Sequence, residues 1–335
     1  DAAIARTASR MQLGAVFRAL LTIAADDASL LQRLLMPDAL TGLLLCLEAD
    51  ESRLHYQTRH VNTQHVAFLA DAGRFRMPCP IADPNVLQKV HQNFAISYLT
   101  DAALPLSLEP GTSAALSELQ GANGKEIVVA LCADTTFVDA LFDGLGVGPP
   151  RGFAEGQLGG SSPPPAPRAP SGRAGGAVPA PPADEPTYLQ LWGLLRELSS
   201  LAAALHPVGR VRVYRTLCAR GLVRALALAL APAVGSGPRE GIGRRQALDA
   251  QVRALDVLLF VLNHDCAIVR LACVDLPQSA SWGGRADARA LVSALVRLLG
   301  ESSDEGLLTQ ASESVRILLD PTSMEPSEQN AFLDY

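Results

Sequence analysis

The sequence contains few aromatic residues: Phe, Trp and Tyr make up 5% of its 335 residues, although hydrophobic residues make up 48%. An apolar content supplied mainly by Leu, Val and Ala suits stacked helices better than the strands of a β-sandwich. The length allows two average domains or one elongated repeat array. The composition therefore favours an all-α protein.

Long hydrophobic runs are also absent. The richest apolar stretch, residues 222–234, is interrupted by Arg224 and ended by Pro232, whereas a membrane span needs about 18 apolar residues or more. No basic segment followed by an apolar one opens the chain, so we expect neither a signal peptide nor a membrane partner. The chain begins at Asp1 and stops at Tyr335 inside a predicted helix, which indicates a fragment of a longer protein.

The sequence has no CxxC pair, the usual signature of a zinc or redox site. Its six scattered cysteines are Cys46, Cys79, Cys132, Cys218, Cys266 and Cys273. Most of them stand in apolar runs, which predicts reduced, buried thiols in an intracellular protein rather than a disulfide framework.

Motifs that would carry catalysis are missing as well. His55, His60 and His65 recur every five residues, but that spacing turns a helix by about 500° and points neighbouring rings apart, unlike the i, i+4 pair of a zinc protease. The glycine-rich segments 144–152 and 235–243 lack the Lys and Ser/Thr of a phosphate-binding loop. We expect no catalytic residue, no metal ligand and no cofactor, and the chain is not predicted to be an enzyme.

Helical periodicity is what the sequence does contain. The first apolar stripe consists of Leu13, Val16, Phe17, Leu20 and Leu21. Asp26, Asp27 and Ser29 then offer a cap for a second helix, and Pro37 begins a third. Three short helices with tight joints within 40 residues are typical of an armadillo-like repeat.

Similar patterns continue along the chain. Asp83 and Pro84 predict the start of a helix that extends to Tyr98. Residues 112–122, 123–133 and 134–145 predict three more helices, and the alternating segment 210–215 is interpreted as a helix start. Further apolar stripes cover 191–205, 248–262 and 308–319, the last through Leu308, Ala311, Val315, Leu318 and Leu319.

Two segments break this pattern. Residues 146–186 are rich in Pro, Gly and Ser, and residues 231–245 form a shorter loop of the same kind; such segments cannot bury enough apolar surface to offset their chain entropy. We predict an armadillo/HEAT-like α-solenoid with parts at 1–145 and 187–335, truncated at Tyr335 and interrupted by a disordered insert. Two independent domains joined by a linker are the alternative.

Charge is distributed unevenly. The chain has a net charge of −6, but residues 186–300 form a basic region with 14 basic and 7 acidic residues. Its possible partner-docking face comprises Arg210, Arg212, Arg215, Arg220 and Arg224. An acidic protein partner is one interpretation and a solvated surface is another, while nucleic acid is disfavoured because no aromatic residues interleave with the arginines. The PxxP string at 163–170 is either a docking peptide or a plain spacer.

Two stretches carry a family resemblance, residues 34–50 and 75–105, and a third, residues 316–335, closes the chain. The matching residues in the first two are Cys46, Leu47, Glu48, Pro80, Ile81, Asp83, Lys89, His91, Gln92, Tyr98, Asp101, Leu104 and Pro105. They resemble the central domain of the protein phosphatase 4 regulatory subunit 3 (SMEK) family. The sequence departs from the family in lacking the Tyr and Pro usual after Glu48, and in the length of its Pro-rich insert.

This resemblance implies a non-catalytic scaffold subunit. Its implied partners are the phosphatase 4 catalytic subunit and regulatory subunit 2, its implied substrates include chromatin and DNA-repair phosphoproteins, and its implied location is the nucleus and cytoplasm. The family's peptide-binding N-terminal domain is not in this sequence. His91 and Gln92 are the best-matched polar residues, with packing inside a repeat as their simpler role. The alternative function is an armadillo-type adaptor of the importin or catenin kind, which the lack of a Trp ladder disfavours, since Trp192 and Trp282 are the two tryptophans.

Overall fold

The structure is a computed structural model that describes residues 14–48, 64–70, 77–104, 108–147, 188–231, 244–274 and 286–326, together with residue 329. His55, His60, Trp282, the PxxP string and most of the two predicted loops lie outside these residues.

The described part of the chain is helical and contains no β-strand, so the all-α expectation is confirmed. Its helices are α1 (Gly14–Ala24), α2 (Ala28–Leu34), α3 (Pro37–Glu48), α4 (His65–Ala70), α5 (Pro84–Tyr98), α6 (Pro110–Ala133), α7 (Thr135–Gly144), α8 (Tyr188–Ala203), α9 (Pro207–Ala219), α10 (Leu222–Leu230), α11 (Arg244–Val274), α12 (Ala286–Glu301) and α13 (Glu305–Leu319). α11 consists of two helical halves that meet at a kink at Asp265, whose backbone is not helical (φ −165°, ψ 86°). A π-helical turn, Leu99–Ala103, extends α5, and a 3-10 turn, Pro321–Ser323, follows α13.

Aspartate caps begin several of these helices, as the sequence predicted for α2 and α5. The Asp27 carboxylate accepts hydrogen bonds from the backbone N–H groups of Ser29 and Leu30 at 2.9 and 3.2 Å. Asp83 accepts one from the N–H of Asn85 at 2.8 Å. Each bond satisfies a donor that the first helical turn leaves unpaired.

The helices group in threes, as the armadillo prediction requires. α1, α2 and α3 form one such group between residues 14 and 48, and α8, α9 and α10 form another between 188 and 230. Gly221 joins α9 to α10 in the left-handed region at φ 115°, a conformation that costs little only for glycine. Successive helices pack against one another in an armadillo-like α-solenoid, with α8 against α11, α10 against α12 and α11 against α13.

The buried apolar residues form two core clusters. The first core cluster runs from Phe17 to Leu119 and the second from Cys79 to Leu318. α5 contributes Ala95 to the first cluster and Val86 to the second, and α6 contributes Leu116 to the first and Leu131 to the second. These two helices therefore connect the clusters.

The second core cluster draws on both sides of the Pro-rich insert. Phe137 and Leu141 precede the insert, Leu191 and Trp192 follow it, and all four are buried in the same cluster.

One helix prediction was wrong: 112–122 and 123–133 belong to the single helix α6. The run Gly121–Gly124 resembles a joint in the sequence, yet it stays helical. Asn123 is buried there and its amide donates to Gln92 Oε1 at 2.8 Å. A Cβ at Gly124 would lie 2.7 Å from Leu201 Cδ2, so the small residue allows α8 to approach.

Two apolar stripes are also placed differently from the prediction. Phe17 and Leu21 of α1 are buried, but Val16 is exposed. In α13 the buried face includes Leu307, whereas Leu319 is exposed. Residues 210–215 lie inside α9, which confirms their interpretation as helical.

In the described ranges no single helix is both long and apolar enough to cross a membrane. α2 and α3 together meet that test by length and composition, but they are bent by 74° at their joint. Leu31 and Leu44, one from each, are buried in the first core cluster.

Candidate functional site

An apolar groove of about 540 Å³ lies between α3 and α5. α3 forms one wall of the groove and α5 forms the other. The two walls stay apart because α3 packs on α4 while α5 packs along α6. The residues that line it are Leu35, Pro37, Leu40, Thr41, Leu44, Val66, Leu69, Pro84, Leu87, Gln88, His91, Gln92, Phe94 and Ala95. The volume and the mostly apolar lining are typical of a binding site.

Glutamine side chains cross the mouth of this groove. Gln88 Nε2 donates to the thioether sulfur of Met36 at 2.9 Å, and Gln92 Nε2 donates to the carbonyl of Gln32 at 3.4 Å. Sulfur is a weak acceptor and the second bond is long, so both of these cross-groove bonds are weak. Gln92 and His91, the best-matched polar residues of the sequence comparison, line this groove.

A network of amides fixes the register of α5 against α6. Buried Asn123 donates to both Gln92 Oε1 and Asn93 Oδ1, at 2.8 and 3.1 Å. Asn93 in turn donates to the carbonyl of Gln120, and Gln120 Nε2 donates to Ser97 Oγ at 2.8 Å. The network holds the α5 wall of the groove in place.

A buried pair, His65 and Tyr98, joins the start of α4 to the end of α5. His65, buried at the start of α4, has its Nδ1 2.8 Å from the Tyr98 hydroxyl. Phe68 stacks on the same tyrosine ring with 4.6 Å between centroids. The carboxylate of Glu48 accepts a hydrogen bond from the N–H of Val66 at 2.8 Å. His65 thus contacts a side chain 33 positions away in the sequence. Within the described ranges no group of three or more His, Cys, Asp or Glu could hold a metal ion.

The five predicted docking arginines do not share one environment. Arg212 and Arg215 are exposed on α9. Arg220 forms an ion pair with Asp139 of α7 at 2.7 Å, and Arg210 donates to the Ala203 carbonyl at 3.3 Å. Arg224 is half-buried in α10. Their role in docking stays a prediction.

The six cysteines are free thiols, and Cys79, Cys132 and Cys273 are buried as predicted, whereas the other three are half-buried. Burial raises the pKa of Cys79 to about 11 and the pKa of Cys132 and Cys273 to about 12. Such thiols stay protonated at neutral pH, and the protonated form is a poor nucleophile.

Sequence reasoning missed Arg270, which is 1% exposed in the second half of α11. Its guanidinium donates to the carbonyls of Leu318, Ile317 and Ser323 at 3.0, 2.7 and 3.1 Å, and to the Ser323 hydroxyl at 2.9 Å. The Ile317 and Leu318 carbonyls lie in the last turn of α13, where the partial negative charge of the helix end attracts a cation, and Ser323 lies in the 3-10 turn that follows. The partners lie 47 to 53 positions away, so no local pattern could have indicated them.

A profile of the family Phosphatase 4 regulatory subunit 3 matches residues 8–334. The chain is 24% identical over 302 residues to serine/threonine-protein phosphatase 4 regulatory subunit 3 of Drosophila melanogaster, which covers 89% of this chain and 25% of that protein. It is 22% identical over 299 residues to an uncharacterized protein of Schizosaccharomyces pombe, which covers 88% of this chain and 30% of the relative.

Suppressor of Mek1 of Dictyostelium discoideum is 28% identical over 117 residues, or 35% of this chain and 11% of that protein. The chain thus spans less than a third of the length of these relatives. No solved structure matches it. Because the family profile covers nearly the whole chain, the chain belongs to the phosphatase 4 regulatory subunit 3 family.

Proposed function

We propose that this chain is the helical-repeat part of a non-catalytic scaffold subunit, which binds the phosphatase 4 catalytic subunit and regulatory subunit 2. The observation that carries the proposal is the family match over residues 8–334. The substrates would be phosphoserine and phosphothreonine proteins, and the sites of action the nucleus and cytoplasm.

The fold supports this role in kind. An α-solenoid presents an extended surface and binds partners through many contacts rather than through a reactive group. The buried thiols described above are unsuited to nucleophilic catalysis.

Reconstitution tests the proposal. The purified chain, the catalytic subunit and regulatory subunit 2 from the same organism are mixed and separated by size-exclusion chromatography. We expect the chain to co-elute with both, and to release no phosphate from a phosphopeptide when assayed alone. Separate elution of the chain at micromolar concentrations would contradict the proposal.

The rival adaptor function has its own test. An importin-like groove would bind a lysine-rich localisation peptide with micromolar affinity, and fluorescence anisotropy would detect that binding. We expect no such affinity, because no Trp ladder lines a groove within the described residues.

We place part of the partner-docking face at Arg212 and Arg215, the two exposed arginines of the predicted set. If an acidic surface of the catalytic subunit or of regulatory subunit 2 docks there, the double variant Arg212→Glu, Arg215→Glu should weaken co-elution with that subunit while leaving the fold intact. Arg316→Glu, exposed on α13, is the control for the charge reversal. Unchanged co-elution of the double variant would remove these arginines from the interface.

A further inference from the structure

We propose that the groove between α3 and α5 binds an amphipathic helical segment of a partner protein, whose apolar stripe is flanked by Lys or Arg. The proposal goes beyond the scaffold role, because it assigns a binding site and the chemistry of its occupant.

The apolar character of the groove calls for apolar side chains. Its floor contains the buried residues Leu40, Leu44 and Ala95, and half-buried Leu87 and Phe94 form the α5 wall. Filling such a pocket removes this surface from water, which is the main source of affinity in a helix-in-groove interface.

The secondary structure around the groove selects a helix over other occupants. Both walls are helices, so they offer no strand edge to which an extended peptide could add. Proline-rich peptides dock on grooves lined by several aromatic rings, whereas Phe94 is the one Phe, Tyr or Trp in the described lining. This argues against the chain's own PxxP string as the occupant.

Charge complementarity selects basic flanks. Residues 14–147 include eight basic and fifteen acidic side chains, a net charge of −7. Asp38 and Asp83 are exposed and adjoin the lining residues Pro37 and Pro84 in the chain, and Glu48 is the last residue of α3. Nearby Lys89 is paired with Glu126, so it does not offset the acidic rim. Such a rim attracts a cationic segment and orients it.

The binding test uses purified chain and fluorescein-labelled synthetic helices of about 18 residues. The first peptide carries Leu at i, i+3 and i+7 with flanking Lys, the second replaces Lys by Glu, and the third replaces Leu by Ser. We expect saturable binding of the first in fluorescence anisotropy, and at least about tenfold weaker binding of the other two. Equal binding of all three peptides would overturn the proposal.

A blocking variant locates the site. Thr41 is exposed on the groove wall, and its hydroxyl donates to the Pro37 carbonyl at 2.7 Å. Thr309 of α13 is equally exposed and makes the same type of bond to Glu305 at 2.8 Å. Thr41→Arg should weaken binding of the Leu/Lys peptide about tenfold or more, and Thr309→Arg should not. Equal affinity of both variants would place the peptide elsewhere.

The charge contribution has a matched pair of its own. Asp83→Asn and Asp134→Asn each keep an N-cap oxygen while removing a charge. Asp83→Asn should weaken the Leu/Lys peptide by about threefold at low salt, while Asp134→Asn leaves its affinity unchanged. Equal affinities would remove the acidic rim from the proposal and overturn its choice of a basic partner.

Two other occupants remain distinguishable. Competition by a peptide copying residues 161–171 would assign the groove to the chain's own insert, and self-association abolished by Thr41→Arg would assign it to a second copy. Either result overturns the proposal. Because these assays contain no phosphatase, their failure leaves the proposed scaffold role standing, and the reverse also holds.

Discussion

At the scale of single residues, Arg270 is the side chain on which the described C-terminal end depends most. Arg270→Met keeps the apolar stem of the side chain but leaves the terminal carbonyls of α13 without their donor. We expect a loss of about 3 kcal/mol in the free energy of unfolding, since bonds to a charged donor are stronger than neutral ones. Urea denaturation measures it.

The control for that substitution lies on α13, the helix whose carbonyls Arg270 contacts. Arg316 is exposed and pairs with Glu313 three positions earlier, with 2.5 Å between Nη2 and Oε1. Surface pairs of this kind contribute little, so Arg316→Met should leave the urea midpoint unchanged. Similar midpoints for the two variants would mean that Arg270 does not secure α13.

Tyr214 should make the free energy of unfolding depend on pH above about pH 10. Burial raises the pKa of Tyr214 to about 12, against about 10 in an unfolded chain. Below pH 10 the hydroxyl is protonated in both states. Above it, only the unfolded chain releases the proton, so the free energy of unfolding should fall as pH rises toward 12.

Tyr214→Phe tests this dependence. The variant loses the hydrogen bond to the Ser199 carbonyl, 3.1 Å long, and should be about 1 kcal/mol less stable at pH 7. Its stability should then decline less steeply than that of the unmodified chain between pH 10 and 12, in urea titrations at each pH. Parallel declines would show that the tyrosine does not titrate as stated.

At the scale of elements, the continuity of α6 makes a prediction. Gly121 is exposed inside the helix, and a Cβ there would meet nothing within 4 Å. Gly121→Ala should therefore raise the free energy of unfolding by about 0.8 kcal/mol, the difference in helix propensity. Gly42→Ala, equally open in α3, should do the same. Thermal denaturation compares them.

A bulkier substitution at Gly124, three positions after Gly121, should lower the free energy of unfolding instead of raising it. Gly124→Val would force its side chain against Leu201, which is 2.7 Å from the Cβ position, and should cost about 1 to 3 kcal/mol. If Gly121→Ala were also destabilising, a joint rather than a helix would occupy this segment.

Local patterns predicted the starts of helices better than their ends or partners. Asp27 and Asp83 cap helices within three residues of themselves, so their role is visible in a short stretch of sequence. Asn123 was predicted to begin a separate helix, because the contacts that stabilise it inside α6 are on α5, about 30 positions earlier. The groove was not predictable for the same reason, since its walls come from separate segments that only packing brings together.

At the scale of the whole molecule, a repeat array should lose structure locally. Phe17 is fully buried in the first core cluster and Leu258 in the second. Contacts in a solenoid are mainly between neighbours, so Phe17→Ala should accelerate amide hydrogen exchange in α1–α3 and leave α11–α13 unchanged. Leu258→Ala should show the reverse pattern in the same mass-spectrometric measurement.

Uniform acceleration in either variant would indicate one cooperative unit instead. α5 and α6 supply residues to both clusters, so their amides are the place where the two patterns should overlap.

The packing of α7 onto α8 has a practical consequence for handling this protein. A Cβ at Gly144 would lie 2.6 Å from Leu191 Cδ1, so the chain before the Pro-rich insert and the chain after it fit together without space between them. A protease cut within residues 148–187, or new chain ends engineered there, should leave this contact between α7 and α8 in place. The two pieces should stay associated after cleavage. Either piece produced alone would expose to solvent the apolar surface that the other piece covers, and should aggregate.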